Sequence, residues 1–175
     1  MTKIEIKKLT GLLVTISFIC TLILAIIAYK NYNFFGQYLS ELGAGETSVI
    51  FNVGLMITSL LMVCLYILIY YKESKSNLVI GVVSAVSLFG VGLFPLTLKN
   101  PHYLSALLFF LLSFFLIAKS NINLYFKEKN IDWIGVISIV VILFYIIIFR
   151  NPLMQKFSVF VIIVWLIWKV FFNKK

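Results

Sequence analysis

Six stretches of this chain are apolar for about 20 residues each, the length an α-helix needs to cross a hydrocarbon core of about 30 Å. They cover residues 9–29, 48–71, 77–98, 102–126, 131–149 and 153–172. Their apolar residues run continuously instead of alternating at period two, so the spans are helices, whose backbone satisfies its own hydrogen bonds in lipid, and not barrel strands. The chain is 62% hydrophobic and 12% charged, against about 45–50% and about 25% for a soluble globular domain. Residues 1–175 are therefore expected to form one domain: an all-α, polytopic integral membrane bundle of six transmembrane helices. No length remains for a soluble catalytic domain, so any function sits in the bilayer or at its edges.

The charges orient the bundle. With the first residues inside, the inner segments hold Lys3, Lys7, Lys8, Lys72, Lys75, Lys119, Lys127, Lys129, Lys169, Lys174 and Lys175, eleven in all, and the outer segments hold only Lys30, Lys99, Arg150 and Lys156. The positive-inside rule then places both termini in the cytoplasm and the protein in the cell membrane as a multi-pass chain. Lys119 and Lys169 lie near span ends, where long side chains reach the headgroups. A net charge of +9 is accounted for by an anionic inner leaflet and calls for no nucleic acid. The basic start resembles a secretory leader, but its apolar core exceeds the usual ~7–15 residues and Ala25 and Ala28 lack the spacing of a cleavage site, so the first span is expected to be retained.

Little in the chain suggests metal or cofactor chemistry. Cys20 and Cys64 lie inside apolar runs with no CxxC spacing and are read as buried packing residues; His102 is the only histidine, and one histidine makes no ligand set. No cofactor and no metal are expected. The third span is the richest in small residues, with Gly81, Ser84, Ala85, Ser87, Gly90 and Gly92, which permits close backbone approach and places it centrally. The spans from 102 onward, rich in Phe, Leu and Ile, are expected to face lipid, with Trp133, Trp165 and Trp168 as an inner aromatic belt.

The outer links carry more chemistry than the inner ones. Residues 99–101 and 150–152 read KNP and RNP, a cation, an N-cap residue and a proline suited to the first helical position. Each string is expected to start a helix and to set a fixed cation, Lys99 or Arg150, beside a helix N-terminus where an anion such as a lipid phosphate would rest. His102 follows Pro101 in that positive field, which favours a neutral ring. The link after the first span contains QYLSELGAG (37–45); Phe35, just before it, with Tyr38, Leu39 and Leu42 forms one apolar face of a short interfacial helix stopped by Gly43. Ser40, Glu41, Asn52, Lys99, His102 and Arg150 are thus candidates to converge on one outer, lipid-headgroup-binding cavity.

SELGAG (40–45), IFNVGL (50–55) and VGLFPLTLKNPHYLSALLFF (91–110) together resemble an uncharacterised family of small prokaryotic six-helix membrane proteins, a domain of unknown function (DUF998-like). The resemblance extends over roughly residues 9–125, with the last two spans similar only in being apolar. It is also distantly similar to the damage-regulated autophagy modulator group, six-helix proteins linked to membrane lipid organisation. By motif the resemblance covers Ser40, Glu41, Leu42, Gly43, Phe51, Asn52, Gly54, Phe94, Pro95 and His102 and implies a six-helix fold with a shared outer feature.

The expected function is non-enzymatic: binding of a lipid headgroup at the outer cluster, with influence on membrane lipid organisation and membrane lipids as partners. The alternative is an intramembrane lipid hydrolase or transferase with His102 as base, Ser40 or water as nucleophile and Glu41 as orienter.

Overall fold

The computed structural model describes residues 2–148 and 151–172. Among these residues the chain forms α1 (Lys3–Ala28), a short 3-10 helix (Leu39–Gly43), α2 (Ser48–Tyr70), α3 (Lys75–Leu93), α4 (Lys99–Glu128), α5 (Trp133–Leu143, continued by a π-helical turn over Phe144–Ile148) and α6 (Pro152–Phe171). Five of the helices are long and apolar enough to cross a membrane; α5 with its continuation is shorter. A short span is accommodated by local thinning of the bilayer or by its neighbours.

The helices pack in sequence order into a closed ring, α1 on α2, α2 on α3, α3 on α4, α4 on α5, α5 on α6 and α6 back on α1. Small residues let the first half of the ring pack most closely. A Cβ on Gly92 of α3 would stand 2.6 Å from the Asn52 carbonyl oxygen on α2, and one on Gly81 would stand 2.9 Å from the Tyr66 ring. Lipid gives helices no hydrophobic drive to associate, so close fit and interhelical hydrogen bonds hold them. Ser17 and Thr58 join α1 to α2 at 2.9 Å, Ser84 and Ser113 join α3 to α4 at 2.9 Å, and the Ser138 hydroxyl of α5 donates to the Val161 carbonyl of α6 at 3.2 Å. Gly11 of α1 lies against Val170 of α6, so the start and finish of the described chain share one end of the bundle. The link between α1 and α2 lies at the other, called the link end below.

Several expectations need correction. The third span is not a central rod, because each helix packs on its two ring neighbours. Of the five long helices the least buried is α1, not one of those after residue 102. Cys20 and Cys64 point outward and are exposed. Trp165 is no belt residue: it is fully buried and its indole N–H donates to the Asp132 carboxylate at 3.0 Å. Asp132 also N-caps α5 by accepting from the Gly135 N–H at 3.1 Å, and the Asn121 amide clamps the Asp132 backbone from α4 at 2.9 and 3.1 Å. A carboxylate within an apolar chain persists where its lone pairs are met in this way, and here it ties α4, α5 and α6 together at the end opposite the link.

Candidate functional site

The 29–47 link folds inward over the mouth of the ring. Asn33 makes an Asx turn, its side-chain oxygen accepting from the N–H groups of Phe35 at 3.1 Å and Gly36 at 3.0 Å, and the chain then enters the 3-10 helix. There the Glu41 carboxylate accepts from the Tyr38 N–H at 2.8 Å and from the Gln37 amide at 3.1 Å. Leu39 and Leu42 are buried while Phe35 is exposed, so the apolar face is narrower than the spacing of Phe35, Tyr38, Leu39 and Leu42 implies. The left-handed residue is Gly45, at φ 133°, and not Gly43. Gly43 is instead a close approach, where a Cβ would stand 2.5 Å from the Asn52 side-chain oxygen.

Three side chains stitch the link to the ring. Asn52 of α2 donates to the Gly43 carbonyl at 3.1 Å. Gln155 of α6 accepts from the Leu39 N–H at 2.8 Å. Lys156, also on α6, donates to the carbonyls of Gln37 and Pro152 with its ammonium over the rings of Phe34 and Tyr32, 5.0 and 5.7 Å from their centroids; burial in such a setting is tolerated because carbonyls and ring faces replace water around the charge. Tyr32 is pushed up to about 12, first by burial and then by the nearby Glu41 charge and Tyr29.

Beneath the 3-10 helix, an apolar cavity of about 50 Å³ occupies the centre of the ring, lined among others by Phe18, Phe51, Met62, Val159 and Ile163. From Phe51 to Met62 its wall runs about 16 Å along α2 at the helical rise per residue. A second, open cleft of about 660 Å³ is lined by the 3-10 helix, the start of α4, Gln155 and, from the π turn, Tyr145 and Ile146. The two share Ser40, His102, Ala106, Phe110 and Gln155, which form a throat, polar at Ser40, His102 and Gln155, between the apolar interior and the cleft beside the Phe110–Tyr145 ring pair, whose centroids are 4.8 Å apart. π turns are frequent at functional sites because they displace side chains from the regular helical register.

Within the throat, His102 is 3% exposed. Its Nδ1 lies 2.7 Å from the Phe94 carbonyl, an acceptor, so Nδ1 carries the proton and a neutral ring leaves Nε2 with a bare lone pair. Gln155 is 8% exposed; since the Leu39 N–H requires its oxygen, its NH₂ is the group left over. Ser40 and Glu41 complete the polar lining.

The structure thus brings together Ser40, Glu41 and His102 of the expected set. Asn52 serves the link and lines neither cavity, and Lys99 is exposed at the first residue of α4, away from both. Arg150 lies outside the described residues. The two cation-Asn-Pro strings also part company. Asn151 is a true N-cap, accepting from the Met154 N–H at 2.8 Å with Pro152 at the start of α6. α4, by contrast, begins one residue before Asn100, at Lys99, with Leu98 as its cap position and no side-chain cap. The His102 N–H already donates to the Leu98 carbonyl at 3.1 Å, so His102 is oriented by its ring bond more than by a free helix terminus. Sequence reasoning missed Gln155 and the buried role of Lys156. Their signal was an adjacent amide and ammonium inside an apolar span, where polar groups face the bundle interior.

A closed ring of apolar helices, five of them long enough to cross a membrane, defines a multi-pass α-helical membrane protein with an internal cavity and an adjoining open cleft. The chain belongs to the family described as protein of unknown function (DUF998), whose model matches residues 12–170. That match extends through α5 and α6, beyond the residues on which the sequence motifs rest. No curated protein and no solved structure matches the chain.

Proposed function

We propose that this protein binds one membrane lipid at a time in the cleft lined by α4 and the π turn, with the headgroup against Ser40, Glu41, His102 and Gln155 and an acyl chain along the cleft's apolar wall at Leu107, Phe110 and Ile146. By holding and releasing such a lipid it would influence lipid organisation in the cell membrane, with the link end on the outer face as the eleven-to-four distribution of cations suggests. The observation that carries this reading is the shared throat. A cleft of about 660 Å³ that carries convergent polar groups beside apolar side chains matches an amphiphile in size and polarity.

Ala106 lines both cavities, so Ala106→Trp would block the throat with an indole while leaving the link's hydrogen bonds in place. Native mass spectrometry of protein purified in mild detergent is expected to find a lipid adduct on the parent protein and none on the variant, at unchanged helix content. An adduct retained at the parent level by Ala106→Trp would refute the reading.

One observation favours turnover as a second reading: His102 is held by Phe94 with its other nitrogen bare, in a wall shared with Ser40. Binding is favoured because no hydrogen bond joins Ser40 to His102 among the described residues, and the group orienting the ring is a carbonyl, which stabilises an imidazolium less than a carboxylate does. Fatty-acid release by the purified protein, reduced about 10²-fold or more in His102→Gln, would establish the enzyme instead.

A further inference from the structure

We infer that the ligand of this throat is a neutral long-chain amphiphile whose polar end is a hydroxyl group, such as a diacylglycerol or a long-chain alcohol, and not a phosphate-bearing lipid. The inference rests on the lipid-binding reading above and narrows its ligand class. It comes from the polar groups left over once every internal hydrogen bond has been assigned.

Two of those groups sit on side chains that are nine-tenths or more buried and line both cavities, and have their orientation set by the backbone. The His102 Nδ1–H donates to the Phe94 carbonyl, so in the neutral ring Nε2 is an acceptor. The Leu39 N–H takes the Gln155 oxygen, leaving the amide NH₂ as a donor. Neither remaining group has a hydrogen-bond partner among the described residues. A hydroxyl needs one acceptor for its proton and one donor for its lone pairs, and an acceptor and a donor on one throat supply both. Ser40 adds a hydroxyl that serves in either role. Apolar surroundings make the match matter, since a buried polar group left unpaired costs the full desolvation of that group.

Charge points the same way. Glu41 lines the cleft, and its carboxylate is only partly occupied by the Tyr38 N–H and the Gln37 amide. Of the described cations nearby, Lys156 is engaged by the carbonyls of Gln37 and Pro152 and is drawn to the Glu41 charge, and Lys99 is exposed outside both cavities. Among the described residues no cation lines either cavity. A phosphate there would meet a carboxylate and a bare nitrogen lone pair in a medium of low dielectric, where like charges repel strongly. A neutral hydroxyl meets no such penalty.

The test uses the full chain in lipid nanodiscs and three photoactivatable probes with the same diazirine-bearing acyl chain: a long-chain alcohol, a diacylglycerol and a phosphatidic acid. Crosslinked peptides are quantified by mass spectrometry. One or both neutral probes are expected to label the peptides containing residues 102–110 or 155–163, exceeding phosphatidic acid by about tenfold or more in view of the like-charge repulsion. The better of the two identifies the ligand type. Ser40→Ala, which removes a hydroxyl with no described partner, is expected to lower neutral labelling by about 2- to 10-fold, the scale of one hydrogen bond. Glu41→Gln is expected to raise phosphatidic acid labelling toward that of diacylglycerol. Equal labelling by all three probes, or preference for phosphatidic acid, in the parent protein would overturn the hydroxyl assignment while lipid binding stands. Absence of labelling at these peptides with every probe would overturn both.

Discussion

Gln155→Leu removes the only side-chain acceptor that meets the Leu39 N–H, a 2.8 Å bond between two residues that are 7% and 8% exposed. Leucine keeps the side chain near its original size but offers no acceptor, so the substitution leaves a buried donor unpaired beneath the link. Such a loss costs about 1–3 kcal/mol. It falls on local opening of the 3-10 helix, because the helix ring is held by contacts elsewhere. At about tenfold per 1.4 kcal/mol, the amides of residues 38–43 should exchange with deuterium roughly 5- to 150-fold faster, while amides in the centres of α2 and α3 keep their rates. Hydrogen exchange read by mass spectrometry in a fixed detergent is the assay. Ser40→Ala, a neutral change in the same 3-10 helix that removes no hydrogen bond among the described residues, serves as the control, with link protection close to the parent level. Unchanged exchange at 38–43 in Gln155→Leu, or equal loss in both variants, would show that this bond does not hold the link over the ring.

Four further outcomes are expected. Gly92→Leu drives a side chain into the Asn52 carbonyl oxygen, which a Cβ alone would approach to 2.6 Å. Overpacking of this kind costs about 1–3 kcal/mol, and a lowered thermal midpoint in detergent would report it. Asn151→Ala should cost about 0.5–2 kcal/mol as a lost N-cap, whereas Asn100→Ala, inside the first turn of α4 and without a cap bond, should leave the midpoint unchanged. Cysteines placed at 44 and 100 should be labelled by an impermeant reagent from outside the cell, and those at 74 and 128 should not; the reverse pattern would invert the assigned sidedness. Tyr32 has its folded value raised from 10.0 to about 12, so its stabilising contribution is complete below about pH 10 and is lost as pH rises toward 12. Tyr32→Phe should reduce that alkaline loss, measured as the change in thermal midpoint across this interval.

Much of the architecture was legible because span length and apolarity are local properties. A helix of given rise must supply enough apolar residues to match the hydrocarbon thickness, so the number, order and approximate bounds of the helices follow from the chain alone. The same reasoning located the polar link at 37–46 and drew His102, Ser40 and Glu41 to one end, since short connections return each helix to the end where the previous one finished. The N-cap at Asn151 was equally local. What the tertiary structure decided was rotation and register. Lipid does not select which face of an apolar helix turns inward, so close fits such as Gly92 on α2, and bonds such as Ser84 to Ser113, set each helix's rotation. That rotation sent Cys20 and Cys64 outward, Trp165 inward to Asp132, and Gln155 under the link. Asn52 and Lys99 share an end of the bundle with the throat yet do not line it, because membership of an end depends on chain order, whereas membership of a site depends on where each helix points its side chains.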